Sequence, residues 1–338
     1  MPGKFPVKST IILTIVSVLA IVLPLLLMNA GILDTYTVLI ITMGGVNAVM
    51  AISVNTIVGI TGQLSLGQAG FLAIGAYACI FLNIDLGLPL PLAAACAAVI
   101  TAVAGFLIGF PVLKLSGDYL AIVTLGFGEI IRVVFINLKS ITGGPNGRQF
   151  TTIMKLNNSL AFVVVTLVLV IVLALLQNFL RSSYGRAIKA CREDEIAANS
   201  SGIDIFRYKM IGFVIAAFIA GIGGCLYAMV VGLVQPASAQ FLRSIDYLIF
   251  VVLGGMGSMT GSVLAAYTLT ALQELLRFLP RNFQDLRLIV YAFILVLVMI
   301  FRPQGLLGMK EFSFVRSYDA LVSFVKGKFR KTEGASHA

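Results

Sequence analysis

Charge is scarce in this chain: 11% of its 338 residues are Asp, Glu, Lys or Arg, against roughly 25% in a soluble domain. A soluble globular fold is excluded on that count. Tryptophan is absent, and the single histidine, His337, stands next to the C-terminus, where a frayed tail is the ordinary expectation. Imidazole-based catalysis is left almost without a candidate. The four cysteines, Cys79, Cys96, Cys191 and Cys225, show no CxxC spacing, and three lie in apolar runs; this argues for packing roles rather than a disulfide framework or a zinc site. No GxxxxGK[ST] loop is present to hold ATP phosphates, and GFGEII at 126–131 lacks the last glycine of a dinucleotide fingerprint. HExxH and a nucleophile elbow are also missing. The chain therefore offers no catalytic, cofactor-binding or metal-binding residues, and energy for any work must come from an ion gradient or another chain.

What is plentiful is apolar. Hydrophobic residues make up 59%, glycine numbers 33, and the mean hydropathy is +1.03. Helices apolar all round need a bilayer. The expected fold is all-α, a polytopic membrane bundle of about 8 to 10 transmembrane or re-entrant helices. Windows long enough to cross about 30 Å fall near 9–29, 36–58, 63–83, 88–113, 119–138, 159–180, 208–234 and 285–301. Lys4 and Lys8 precede the first, whose apolar run from Ile11 to Met28 exceeds a signal-peptide core and ends without a small-x-small cleavage site; it reads as a retained membrane helix. Residues 244–276 are cut by Gly254, Gly255, Gly257 and Gly261 into two halves of about 15 residues, each short of a crossing.

The positive balance, 24 Lys and Arg against 14 Asp and Glu, speaks to topology rather than to nucleic acid. With both termini cytoplasmic and ten helical segments, sixteen of the basic residues fall inside, and six outside: Lys139, Arg148, Lys155, Arg243, Arg277 and Arg281. Loop 139–158, with three positive charges and no acid, runs against the rule. The largest polar island is the cytoplasmic loop 181–209. It should hold a short helix around Ala187–Ala198, bracketed by Gly185 and Gly202, with Ile188, Cys191, Glu195 and Ala198 on one face. That helix is either a solvated connector or a docking element for a cytoplasmic partner.

Two glycine-rich stretches interrupt the helices: GITGQLSLGQAGFLAIGAYA from Gly59 and VVLGGMGSMTGSVLAA from Val251. Small residues of this kind serve either close helix packing or a translocation pathway. Polar content favours the pathway. Gln63, Ser65 and Gln68 lie beside Gly62 and Gly67 in the first, and Ser258, Thr260 and Ser262 beside the glycines of the second, at depths where an unpaired amide or hydroxyl costs a few kcal/mol. Glu129 and Arg132, three apart on a helix, can neutralise each other within the hydrocarbon; a structural ion pair and a substrate or gating role both remain open. Asp118 reads as the N-cap of that helix.

These motifs, with TGGPNG at 142–147, GRAIKACREDEIAANSSGI at 185–203, FVIAAFIAGIGGCLYA and FRPQGLLG at 301–308, occur in an order and spacing that resembles the LivM-type permease subunit of branched-chain amino acid ABC transporters, from about residue 40 to 308. The resemblance implies a non-enzymatic permease of the cell membrane, residues 1–308, followed by a basic juxtamembrane tail, 309–338. It implies a sister LivH-type permease, two cytoplasmic ATPase subunits and an extracytoplasmic binding protein as partners, besides the lipid bilayer and with no nucleic acid. ATPase coupling would fall to loop 181–208, at Gly185, Arg186, Arg192, Glu195, Ala197, Ala198 and Gly202. Of the Glu-Ala-Ala, three residues, Gly pattern of such loops, Ala197, Ala198 and Gly202 match, while Ile196 stands at the Glu position and Glu195 one place early. The pathway would comprise Gly62, Gln63, Ser65, Gly67, Gln68, Gly254, Gly255, Gly257, Ser258 and Gly261, without a tight site of its own. Aromatic acids, amides or urea are alternative cargoes; an ion-coupled secondary transporter is the rival class, for which Glu129 and Arg132 are almost the only deep ionisable residues. The tail, with Phe312, Val315, Leu321, Phe324 and Phe329 among basic residues, reads as an interfacial helix on anionic lipid.

Overall fold

A computed structural model describes residues 34–278 except 116 and 153–156, together with residues 290, 292, 293, 296, 297, 300, 301 and 305. The segment expected near 9–29, most of 285–301 and the tail lie outside the described residues. Within them the fold is all-α apart from one pair of two-residue strands. Helix α1, Thr35–Val54, widens into a π-helical turn over Asn55–Ile60, and α2, Gln68–Ile80, into another over Phe81–Asp85. Then follow α3 (Leu90–Val112), α4 (Asp118–Asn137), the short α5 (Lys139–Thr142), α6 (Asn158–Arg181), α7 (Ser183–Glu193), α8 (Glu195–Ser200), α9 (Ile205–Val231), α10 (Phe241–Gly254) and α11 (Met259–Leu275). Strand β1, Arg148–Gln149, pairs antiparallel with β2, Leu233–Val234.

Among the described residues, six stretches are long and apolar enough to cross a membrane: 35–60, 68–85, 90–112, 118–137, 158–181 and 205–231. Five match their predicted windows within about three residues. The sixth differs, because the chain from Thr61 to Gly67 is not helical and α2 begins only at Gln68. Asp118 is a further correction: Gly117, at φ 61°, holds the cap position, and Asp118 is the first helical residue, its carboxylate in the turn where the helix dipole favours it.

Helix α9 is the hub. Its buried Gly212, Ala216, Ala217, Ala220, Gly221, Gly224 and Ala228 let α1, α2 and α3 approach at backbone distance. A Cβ on Gly221 would stand 2.7 Å from Thr101 Oγ1 and 3.0 Å from Ala98 Cα, and one on Gly224 would press on the backbone of Leu72 and Ala76. Backbone cannot yield as a flexible side chain can. We therefore expect Gly224→Val to cost about 3 kcal/mol or more through overpacking, read as loss of the membrane-inserted protein in expression and detergent-stability assays. By contrast, Val99, Val103, Leu107 and Phe110 of α3 and Leu167, Ile171 and Leu175 of α6 are exposed and apolar, as suits a lipid-facing surface.

Contacts sort to two ends of the bundle. At one end Arg148 donates to both oxygens of Asp85 at 2.7 Å, Tyr36 Oη donates to Glu274 at 2.8 Å, and Tyr77 Oη donates to the Val234 carbonyl beside the strand pair. At the other end α7 packs against the π-turn that closes α1, and α8 packs on α7 and α9.

Candidate functional site

Both glycine-rich stretches are helix breaks, each held open by glycine. In the first, Gly62 adopts φ 71°, a conformation disfavoured for residues with a Cβ, and turns the chain off the π-turn. Segment 61–67 then passes into the bundle, where Leu66 N–H donates to Thr124 Oγ1 at 3.0 Å and Ala69 N–H to Ser244 Oγ at 3.0 Å. In the second, Gly255 and Gly257 take φ 107° and 90°, and Ser258 caps α11 by accepting from Gly261 N–H at 3.1 Å. Gly254 and Gly261 pack backbone to backbone, which closes α10 and α11 into a hairpin. The two halves expected at 244–276 are thus helices of 14 and 17 residues.

The breaks touch each other. Asn55 Oδ1, from the π-turn of α1, accepts Gly257 N–H at 2.8 Å. Beneath both lies Arg192 of α7: a Cβ on Gly62 would meet Arg192 Cγ at 3.1 Å, and one on Gly257 would meet Arg192 Nη1 at 3.0 Å and the Gly59 carbonyl at 3.3 Å. Gly305, from the FRPQG motif, is buried against Gly255. One side chain of the polar loop therefore wedges two interrupted membrane segments.

Gln63, Ser65 and Gln68 are all buried, at 3%, 2% and 0% exposure. Gln68 Oε1 accepts from Ser53 Oγ at 3.0 Å, but Gln68 Nε2, both amide atoms of Gln63, Ser65 Oγ and Asn55 Nδ2 have no hydrogen-bond partner within the described chain. Each such group costs about 1–3 kcal/mol if left so. This concentration of unmet polar capacity fits a path that takes water or a polar solute.

The polar loop folds as two helices. Asp194 breaks them and caps the second, its Oδ1 accepting from Ile196 N–H at 2.8 Å and Ala197 N–H at 3.0 Å. This corrects three expectations. Gly185 is no breaker but sits inside α7 against the backbone of Leu180; Gly202, at φ 81°, does end α8. Ile188, Cys191 and Ala198 are buried, while Glu195 begins the second helix, exposed, and pairs with Lys209 at 2.6 Å. Burial raises the pKa of the Cys191 thiol above its ordinary value, in keeping with a packing role. Arg186 turns back to the Arg181 carbonyl and Ser183 Oγ, and Ala197 is exposed.

Ile196 is 82% exposed, on a loop too polar to meet lipid. Nothing in the described chain covers this large apolar side chain. Ile196→Asp should therefore leave membrane insertion intact and change the stability of the isolated chain by no more than about 0.5 kcal/mol in a detergent-stability assay.

Glu129 and Arg132 pair at 2.6 Å, each about 30% exposed. Arg243, counted among outer-loop residues from sequence, lies in the first turn of α10, because the helix starts three residues before the predicted segment. Asn55, Thr124 and Ser244 were not singled out as site residues by sequence; only their hydrogen bonds across the fold tie them to the site. All four cysteines are free.

A bundle of apolar helices with two interrupted segments and a polar loop wedged beneath them defines a multi-pass membrane permease. Residues 36–299 match the family described as branched-chain amino acid transport system, permease component, and the chain belongs to that family. It is 39% identical over 332 residues to the LivM permease protein of the high-affinity branched-chain amino acid transport system of Escherichia coli, covering 90% of this chain and 76% of that one. BraD of Pseudomonas aeruginosa is 28% identical over 80% of the chain and 94% of its own length, and LivH of Escherichia coli 26% over the same shares. The chain is thus LivM-type. No solved structure matches it.

Proposed function

We propose that this chain is one membrane-spanning half of an ATP-driven importer for leucine, isoleucine and valine. A sister LivH-type permease completes the membrane unit, two cytoplasmic ATPases supply the energy, and an extracytoplasmic binding protein delivers the amino acid. Support for the cargo comes from the relatives' names; support for a paired permease comes from similarity to both LivM and LivH. The end carrying α7 and α8 is assigned to the cytoplasm, since loop 181–209 is rich in Lys and Arg. Asp85, Arg148, Tyr36 and Glu274 then lie outside.

Arg192 is the observation that carries the mechanism. ATP-driven closure moves α7 and α8 as a unit with the ATPases. Through Arg192 that movement reaches Gly62 and Gly257 together, so the breaks open or close as one gate. Gly254, Gly255, Ser258 and Gly261 form the hinge of the hairpin, and Gln63, Ser65, Gly67 and Gln68 offer polar groups along the path. Gly185, Arg186, Ala197, Ala198, Glu195 and Gly202 shape the docking unit. Uptake by proteoliposomes containing all four kinds of subunit tests this reading. Leucine accumulation that requires ATP and the binding protein is expected; accumulation by this chain alone without nucleotide would overturn it and favour an ion-coupled carrier.

A further inference from the structure

Helix α4 sets a depth scale. Its 20 residues span about 30 Å at 1.5 Å per residue, the thickness of the hydrocarbon core, and Glu129 lies just past its midpoint. Two pieces of chain that are not α-helical lie end to end along it. On the cytoplasmic half, segment 61–67 is tied to α4 by the bond from Leu66 N–H to Thr124 Oγ1, and a Cβ on Gly128 would meet Gly67 Cα at 3.7 Å. On the outer half the chain descends from Val234, paired with Arg148 in the strand ladder, through a single 3₁₀ turn at Pro236–Ala239. It reaches mid-depth at Phe241, whose N–H donates to Glu129 Oε1 at 3.3 Å.

The two halves differ in what their polar groups face. Gln63, Ser65 and Gln68 are buried. On the outer half Gln235, Gln240 and Arg243 are exposed, and Glu129 and Arg132 keep 32% and 28% of their side-chain surface open. Two amides and three charged groups therefore share one open face, from the outer end of the bundle to its middle. Lipid is not what such a face meets: the exposed residues of α3 and α6, among them Val103, Leu107, Ile171 and Leu175, are uniformly apolar. Charged side chains at this depth face the interior of a bundle or a water-filled cavity. Backbone outside an α-helix is tolerated there only where it is buried in protein or lines water, and the descending segment is not buried, since Gln235, Ala237 and Gln240 are exposed between buried Pro236, Ser238 and Ala239. Water satisfies all of these groups at once, and the face is continuous with the outside at Gln235.

Resting on the importer reading above, we propose that this face of α4, segment 235–240 and the first turn of α10 is one wall of a water-filled outer vestibule, which the sister permease closes on the far side. The outer half of the path is then incomplete in this chain alone. An amino acid set free by the binding protein enters past Gln235 and Gln240 and comes to rest at mid-depth beside Glu129 and Arg132. The floor is segment 61–67, whose Gly67 lies against Gly128, one residue from Glu129; its buried polar groups mark the inner half as shut while the outer half stands open.

The test uses the complete, nucleotide-free complex in right-side-out membrane vesicles, treated from outside with a membrane-impermeant methanethiosulfonate. Gln240→Cys and, one turn deeper, Arg243→Cys are compared with Val103→Cys and Ile171→Cys on the lipid-facing helices, each above the background of the native cysteines. Thiols at 240 and 243 should react at least about tenfold faster than those at 103 and 171, because only a hydrated thiol ionises to the reactive thiolate. A benzoylphenylalanine in place of Ile130, the exposed neighbour of Glu129, should photo-cross-link this chain to the sister permease, and one in place of Ile171 should not. Reaction at both 240 and 243 no faster than at the lipid-facing positions, in protein inserted at the wild-type level, would overturn the vestibule. The same slow reaction with cross-linking at Ile130 would mean a dry interface and would overturn it equally; labelling without that cross-link would overturn the sister permease as its second wall. Failure of the wild-type complex to import leucine with ATP and binding protein is a separate result, and it would overturn the underlying reading instead.

Discussion

Replacing Arg192 by alanine is expected to cut ATP-dependent uptake by roughly tenfold or more while the complex still assembles. The magnitude follows from a coupling free energy of 1–3 kcal/mol between sites, equivalent to about 5- to 150-fold. The sign follows from geometry. Arg192 Cγ lies against Gly62 and its Nη1 against Gly257, so alanine removes the side chain that reaches from α7 to both breaks and leaves only Cα and Cβ near Gly62. Lysine keeps the aliphatic stem on Gly62 but loses the planar fork at Gly257, so Arg192→Lys should fall between. Uptake assayed beside substrate-stimulated ATPase checks this: alanine should lower both, and hydrolysis should cease to respond to loaded binding protein. Full uptake in Arg192→Ala would remove the wedge from the mechanism.

Gly257→Val should be nearly as damaging for a different reason. At φ 90° a β-branched residue is strained by about 1–3 kcal/mol, and its Cβ would stand 3.3 Å from the Gly59 carbonyl and 3.0 Å from the Arg192 guanidinium. The bond from Gly257 N–H to Asn55 Oδ1 would have to lengthen. Because the strain falls on the gate and not on the α9 hub, protein should still accumulate, with Tm lowered by a few degrees and uptake close to background. Gly257→Ala should show the same pattern in milder form, and an uptake rate within twofold of wild type for the valine variant would contradict the hinge assignment.

The contrast between these glycines and those of α9 shows what was legible beforehand. Long apolar windows fix the spans because a bilayer demands about 20 apolar residues regardless of what they pack against. Clustered glycines with polar neighbours marked both breaks for the same reason: mid-membrane amides and hydroxyls are costly. Sequence did not indicate that the first break runs without helix to Gly67, since Leu64 and Leu66 are as apolar as any helix residue and the bonds that replace the helical ones, from Gln63 N–H to the Ile57 carbonyl and from Leu66 N–H to Thr124, show only in the fold. The split of the polar loop turned on Asp194, a capping residue hidden among four consecutive charged side chains, Arg192 to Glu195. Arg192 was placed in the coupling loop by the family resemblance, but nothing in the sequence tied it to the breaks. Its role depends on Gly62 and Gly257, 130 residues earlier and 65 later in the chain, and no local pattern carries such a contact.

Hydrogen exchange on the complete complex is the most direct check that nucleotide state reaches the breaks through Arg192. Amides of 59–67 and 254–258 should change protection together between ATP-bound and nucleotide-free states, and the change should vanish in Arg192→Ala. Protection at both breaks that ignores nucleotide, or that shifts equally in the alanine variant, would contradict the account.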